Sequence, residues 1–435
     1  MNLNKEEIIN NSFEIVFWSH GHNDAERFLP LMVNLNKKGV RTLLFFQNFD
    51  FRDGLSFTNQ KIVDRFGLNV LDYSYFLKTK LYLLLVTVFV RLFKKIIKIK
   101  FFYNKCNGLR SKLLKLSITE DFIRNVIMKF HPKISFFDNI SLLKNTGYPY
   151  GSYFIKKNSV EFGIKCFSIC HGGTVHVPKM LESEPVFIDF DKMYEPNSYE
   201  EQWDNSLLVS KEKKAVAFGD PRFDQNWKGV LKETCQNSLS FEIEKENNNY
   251  KLKLLYLSPN LEQFNEEDLK YKNLSDVVRI AKDTGNSLLL IKPHPRYRQE
   301  EKIKKLMKRI NFKDYHILED EPLVCYLDFI DFIITTGTSA LHDALPENYG
   351  KIIIYDTFGE GMGLRNIFKE SFINFDSFEK MRDFFKKRNY LIESNVENAQ
   401  KAEEFSRRWV AAGGELNTVI ERISDDLCKE LGKIS

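Results

Sequence analysis

The sequence contains no uninterrupted apolar run of 18 residues, so no membrane-spanning helix is expected. Its opening, MNLNKEEIINNSFEIVF, has early acidic residues and no apolar stretch ahead of a small-residue cleavage site, which argues against a secretory leader. Cysteine is sparse. Six fall in 435 residues, at 106, 166, 170, 235, 325 and 428, and only Cys166 and Cys170 are close together. No metal-ligand or paired spacing is present, so reduced thiols, no metal and a cytoplasmic location are expected. No internal repeat or low-complexity segment is evident, which argues against solenoid architectures. Acidic residues are missing from 73–119, where eleven Lys and Arg stand.

What is present suits a globular α/β protein. Hydrophobic residues make up 43% and charged residues 28%, with a modest net charge of +5. The 38 phenylalanines predict Phe-rich cores. The length exceeds one compact core and predicts two domains, 1–235 and 250–395, joined through a polar stretch at 232–251. A long helix over 396–433 is expected to pack back across both.

The pattern that organises the chain lies at 288–345. It reads LLLIKPHPRYRQE, then some 30 residues of helix or loop, then DFIITTGTSALHDAL. Each part is an apolar run that stops abruptly, as a buried parallel strand does, followed by polar, small or basic residues. Ligands of open α/β sheets bind beyond the carboxyl ends of strands. Lys292, His294 and Arg296 after the first run offer cationic and hydrogen-bonding partners to an anion. Pro293 and Pro295 stiffen the backbone on either side of His294. After the second run, Gly337, Thr338 and Ser339 allow backbone N–H groups to face a phosphate, and a helical pattern opens at Ala340. Asp343, one turn on, either meets ribose hydroxyls or is a solvated helix residue. Two further strand ends belong to the same predicted sheet. One is Ser258-Pro259-Asn260 after the run at 252–257, giving Ser258 and Asn260 as candidates. The other is DTFGEGMG after 351–355, where Gly359 and Glu360 would line a base or sugar loop.

The N-terminal half opens as a βαβ unit: strand 14–18, a polar loop with His20 and His22, a helix, and strand 40–46. Asp24 either N-caps that helix or serves as a general base, and His20 and His22 would face an acceptor. Asp138 ends the strand at 133–137. His171, followed by Gly172 and Gly173, ends the strand at 164–169. His171, Asp24 and Asp138 are therefore the three candidate bases. The basic segment at 78–115 encloses an uncharged run at 81–90, too short to span a bilayer. It is expected to lie on an anionic membrane surface or to accept an anionic glycan, and no nucleic-acid module accompanies it.

Together these motifs resemble a GT-B glycosyltransferase of the bacterial surface-polysaccharide type. KPHP at 292–295, including Pro295, resembles the HP motif of transferases that use CMP-activated sugars, and Gly337-Thr338-Ser339 resembles their SS/T motif. CHGG at 170–173 is similar to the HG motif of CDP-glycerol glycerophosphotransferases. GDPRFD at 219–224 looks like a surface-carbohydrate signature and adds Arg222 to the acceptor candidates. The resemblance implies two Rossmann-like domains facing across a cleft. It also implies transfer from a CMP-linked donor, of the Kdo or sialic acid type, to a surface polysaccharide or lipid-linked glycan at the inner membrane leaflet. A CDP-glycerol-type polyol-phosphate transferase, a UDP-sugar transferase, a nucleotide-sugar epimerase or hydrolase, and a non-catalytic glycan-binding subunit are the alternatives. No cofactor or metal is implied.

Overall fold

The computed structural model describes residues 11–19, 22–47, 55–76, 119–138, 152–169, 190–196, 215–235, 243, 249–258, 267–294, 300–318, 321–336, 339–345, 347–357, 372–387 and 396–433. Backbone contacts divide the chain into two units. The first comprises 1–174, 178–222 and 419–435, and the second comprises 175–177 and 223–418.

The first unit is built on seven parallel strands: β1 (Ile15–Ser19), β2 (Thr42–Phe46), β3 (Val70–Asp72), β4 (Ile134–Asp138), β5 (Lys165–Ile169), β6 (Lys192–Glu195) and β7 (Ala215–Ala217). Their spatial order is β3-β2-β1-β4-β5-β6-β7, which reverses between β1 and β4. The inner strands read as unbroken apolar runs because helices cover both faces of a parallel sheet. The helices are α1 (His22–Lys37), α2 (Phe57–Phe66), α3 (Glu120–Phe130) and α4 (Ser152–Glu161). Local chemistry sets their ends. Ser56 caps α2 by accepting from Asn59 N at 3.1 Å, and Gly67 closes it at φ 60°. The core is aromatic as expected: Phe17 packs on Phe28 and Phe136, and Phe45 packs on Trp18, Tyr73 and Phe130.

The second unit repeats the scheme with six parallel strands: β8 (Leu252–Leu257), β9 (Ser287–Lys292), β10 (Tyr315–Ile317), β11 (Phe332–Thr335), β12 (Ile352–Tyr355) and β13 (Ile373–Phe375). The order β10-β9-β8-β11-β12-β13 reverses between β8 and β11. Its helices are α5 (Gln225–Cys235), α6 (Glu267–Thr284), α7 (Glu300–Ile310), α8 (Phe378–Lys386) and α9 (Val396–Val410).

Three expectations change. The boundary was expected after 235, but contacts place 223–235 with the second unit. There α5 is tied down by Lys232–Asp328 at 2.7 Å and by a Cys235–Cys325 disulfide. That bond also overturns the expectation of six reduced thiols; the partners are 90 residues apart, so no local spacing announces them. The single long C-terminal helix is two. α9 ends where Ala412 and Gly413 take positive φ, 51° and 80°, and Gly413 N donates to Arg407 O at 2.7 Å. The chain then forms α10 (Val419–Glu430), which belongs to the first unit.

An ionic seam fixes α10. Lys38 donates to Glu421 at 2.6 Å and to Asp425. Lys165 reaches Glu430 at 2.8 Å, and Lys192 reaches both Asp426 and Glu430 at 2.8 Å. The buried Tyr194 hydroxyl donates to Asp426 at 2.7 Å. Both lysines hold the Glu430 carboxyl below the usual carboxylate range.

Candidate functional site

Two of the predicted phosphate residues, Lys292 and Ser258, stand at the carboxyl edge of the second sheet on neighbouring strands. Leu257 pairs with Lys292 on one side and with Thr335 on the other, so Lys292 and Thr335 stand level, one strand apart. Adjacent strands lie about 4.8 Å apart, which places the two backbones roughly 10 Å from one another. That distance suits opposite flanks of a phosphate group. Ser258 emerges between them and its backbone N donates to Lys292 O at 3.0 Å. This is the point where strand order reverses, the place where a parallel sheet leaves a crevice beyond its carboxyl ends.

Lys292 is half-buried, and its ammonium donates to Glu321 O at 2.7 Å. His294 lies two residues on and is also half-buried. Thr336, just past β11, is 1% exposed, and among the described residues its hydroxyl has no hydrogen-bond partner. A buried polar atom left unpaired is costly, and such groups mark places where a ligand or water completes the network. Ser339 opens a 3-10 turn, Ser339–Ala344, that carries Asp343 into a buried position rather than into solvent. Pro295, Arg296, Gly337, Thr338, Asn260, Gly359 and Glu360 lie outside the described residues.

The exit of β12 is held from α6. Asn273 donates to Tyr355 O at 3.2 Å and accepts from the Thr357 hydroxyl at 2.6 Å. Tyr355 OH donates to Asp276 at 2.8 Å, and burial holds the Asp276 carboxyl above its ordinary range. These contacts hold Tyr355 and Thr357 at the exit of β12. They were invisible in the sequence, because a buried Asn on a helix has no local signature.

The first unit presents buried carboxylates along its own carboxyl edge. Asp138 ends β4 fully buried. Asp24 sits in the first turn of α1, directly beyond β1, and is also buried. The sequence reading missed two more, Asp72 at the end of β3 and Glu195 at the end of β6, because each follows only two apolar residues, Val70-Leu71 and Met193-Tyr194. His171 and His20 lie outside the described residues, and only the backbone of His22 is described, at the start of α1.

The GDPRFD motif, with the acceptor candidate Arg222, makes a set of ion pairs and caps. Arg222 pairs with Glu26 of α1 at 2.9 Å. Asp220 accepts from Arg27 Nε at 3.2 Å, with both side chains buried, and from Arg222 N at 3.0 Å. Asp224 accepts from Asn226 N at 2.9 Å and so caps α5. Through Arg27 and Arg222, Asp220 fastens the turn after β7 to the helix that carries Asp24. Among the described residues no helix is long and apolar enough to cross a membrane, and the basic segment 78–115 lies outside them.

No protein-family model matches the sequence, and no curated protein matches it significantly. Solved structures do. UDP-GlcNAc 2-epimerase from Neisseria meningitidis bound to UDP-GlcNAc aligns with a TM-score of 0.57 at 13% identity, over 95% of this chain and 99% of that one. The Methanocaldococcus jannaschii UDP-GlcNAc 2-epimerase in complex with UDP-GlcNAc and UDP gives 0.57 at 13%, over 96% and 99%. A glycosyltransferase from Rickettsia africae gives 0.52 at 11%, over 97% and 99%. Likeness at such low identity fixes the fold and nothing finer: the chain has the GT-B fold, two parallel-sheet α/β units of Rossmann type.

Proposed function

We propose that this protein is a glycosyltransferase that takes its sugar from a nucleotide donor held by the second unit. One observation carries the reading. Lys292, Ser258 and Thr335–Thr336 leave three adjacent strands together at the strand-order reversal, with a buried Thr336 hydroxyl awaiting a partner. Lys292, with His294 and Arg296, offsets the charge that grows on the leaving phosphate, and the hydroxyls of Thr336, Thr338 and Ser339 add hydrogen bonds. Preorganised donors of this kind contribute about 3–4 kcal/mol each to transition-state stabilisation. In the first unit Asp24, Asp138 or His171 deprotonates the acceptor hydroxyl.

The HP and S/T-type motifs favour a CMP-linked donor and a surface or lipid-linked glycan as acceptor, with the basic 78–115 segment resting on the inner membrane leaflet. A second reading, a UDP-sugar 2-epimerase, is supported by similar structures that carry that name and hold UDP-GlcNAc. Incubating the protein with CMP-Kdo, CMP-sialic acid, CDP-glycerol and UDP-GlcNAc, each with and without a lipid-linked glycan, separates the two. Acceptor-dependent release of nucleotide with a gain in acceptor mass supports the transferase. Acceptor-independent conversion of UDP-GlcNAc to its C2 epimer supports the epimerase. Turnover of none of them rejects both.

A further inference from the structure

The segment that follows β11 is short and buried. Leu341, His342, Asp343, Ala344 and Leu345 are all out of solvent. Around this six-residue 3-10 turn, His342 O accepts from Leu345 N at 3.3 Å and Ala344 O accepts from Asn348 N at 3.0 Å. Lys228 of α5 adds a side-chain hold at the end of the segment. Its ammonium donates to Leu345 O and lies 3.5 Å from His342 O, with the Glu347 carboxylate 3.9 Å away. The lysine side chain is only 6% exposed. Burial pushes its pKa down, and Lys232 adds to this, while Glu347, Asp343 and Asp224 act to keep the ammonium charged.

The lysine is fixed at both ends of its own helix. Asp224 caps the start of α5, and the Cys235–Cys325 bond anchors its end. A methionine would fill the same space without the desolvation cost of an ammonium. What the ammonium supplies that methionine does not is a defined position for the carbonyls it holds.

We infer that Lys228 is a positioning residue for the phosphate site, gripping the end of the 339–345 segment so that the start of that segment, just beyond Thr336, is held where the donor's phosphate binds. This rests on the nucleotide reading above. β11 ends at Thr335, and Lys228 holds Leu345. Releasing Lys228 takes the ammonium from the buried Leu345 carbonyl and loosens the end of 339–345 while the sheet stays in place.

The test is calorimetric titration of wild type, Lys228→Met and Lys228→Arg with CMP and UDP, and with cytidine and uridine as phosphate-free controls. Amide hydrogen exchange is followed over 339–345 and over β8, β9 and β11. In Lys228→Met, nucleotide affinity falls about tenfold or more, while nucleoside affinity stays within about twofold. Exchange quickens in 339–345 and not in the strands. Lys228→Arg, which keeps the charge, loses less, and it carries the test if the methionine variant does not fold. An equal loss for nucleotide and nucleoside overturns the inference, as does undiminished nucleotide binding in both variants. Wild type that binds neither CMP nor UDP overturns the nucleotide reading and this inference with it.

Discussion

Lys292 and Thr335 stand level with one another, separated only by Leu257, at the edge where the second sheet reverses its strand order. They are 43 positions apart in sequence (335 minus 292), and parallel register brings them to the same carboxyl edge of the sheet. Thr336, next along, is buried, and among the described residues its hydroxyl has no partner.

Thr336→Val separates stability from function. The hydroxyl is buried and has no partner among the described residues, so removing it relieves a desolvation cost. Thermal unfolding should show the variant as stable as wild type or up to about 1 kcal/mol more so, while nucleotide affinity drops. A variant that is destabilised and binds as before would mean the hydroxyl serves the fold alone.

Asp220→Ala tests the assignment of GDPRFD to structure rather than to acceptor binding. It leaves Arg27 buried without its carboxylate, which costs about 3–5 kcal/mol in denaturant unfolding. Arg222→Ala breaks the more exposed pair with Glu26 and should cost less, about 1 kcal/mol. Equal costs would show that the buried pair is not the fastening.

The Cys235–Cys325 bond closes a loop of 90 residues, for which chain entropy gives about 4–5 kcal/mol. The melting temperature should fall on adding a reductant, and Cys235→Ser should melt at the lower value with or without it. A melting temperature indifferent to reductant in wild type would contradict the bond.

The α10 seam predicts acid sensitivity. Hydrogen bonds from Lys165 and Lys192 depress the Glu430 pKa below its unfolded value. Its contribution is therefore complete above the unfolded carboxylate pKa, about 4.3, and is lost as pH falls through the lower folded value. Glu430→Gln should lower stability at pH 7 and flatten the stability–pH curve below pH ~4.3. An unchanged slope there would show that the seam does not depend on this carboxylate.

Much of this was legible in the sequence. β8 runs over 252–257 as expected, because an apolar run bounded by polar residues can hardly be anything else in an α/β chain. The edge strands β3, β10 and β13 escaped: each has three residues, and β10 and β13 are half-exposed, so neither length nor a continuous apolar pattern marks them. The helix break at Gly413-Gly414 was written in the sequence and outweighed by the periodicity on either side. Other features belong to tertiary structure alone. The Lys228 grip, the Asn273 bridge and the Cys235–Cys325 pair each join residues 80 or more apart, where no local pattern reaches.

The measurement that bears most directly on the nucleotide site is equilibrium binding of CMP and UDP to wild type, Lys292→Ala and His294→Ala. Saturable binding by wild type that weakens about tenfold or more in each variant, with melting temperatures little changed, is the predicted result. A CMP preference supports the cytidine donor, and a UDP preference moves the donor without moving the site. No binding, or binding untouched by either substitution, would contradict a phosphate site at the β8–β9–β11 edge.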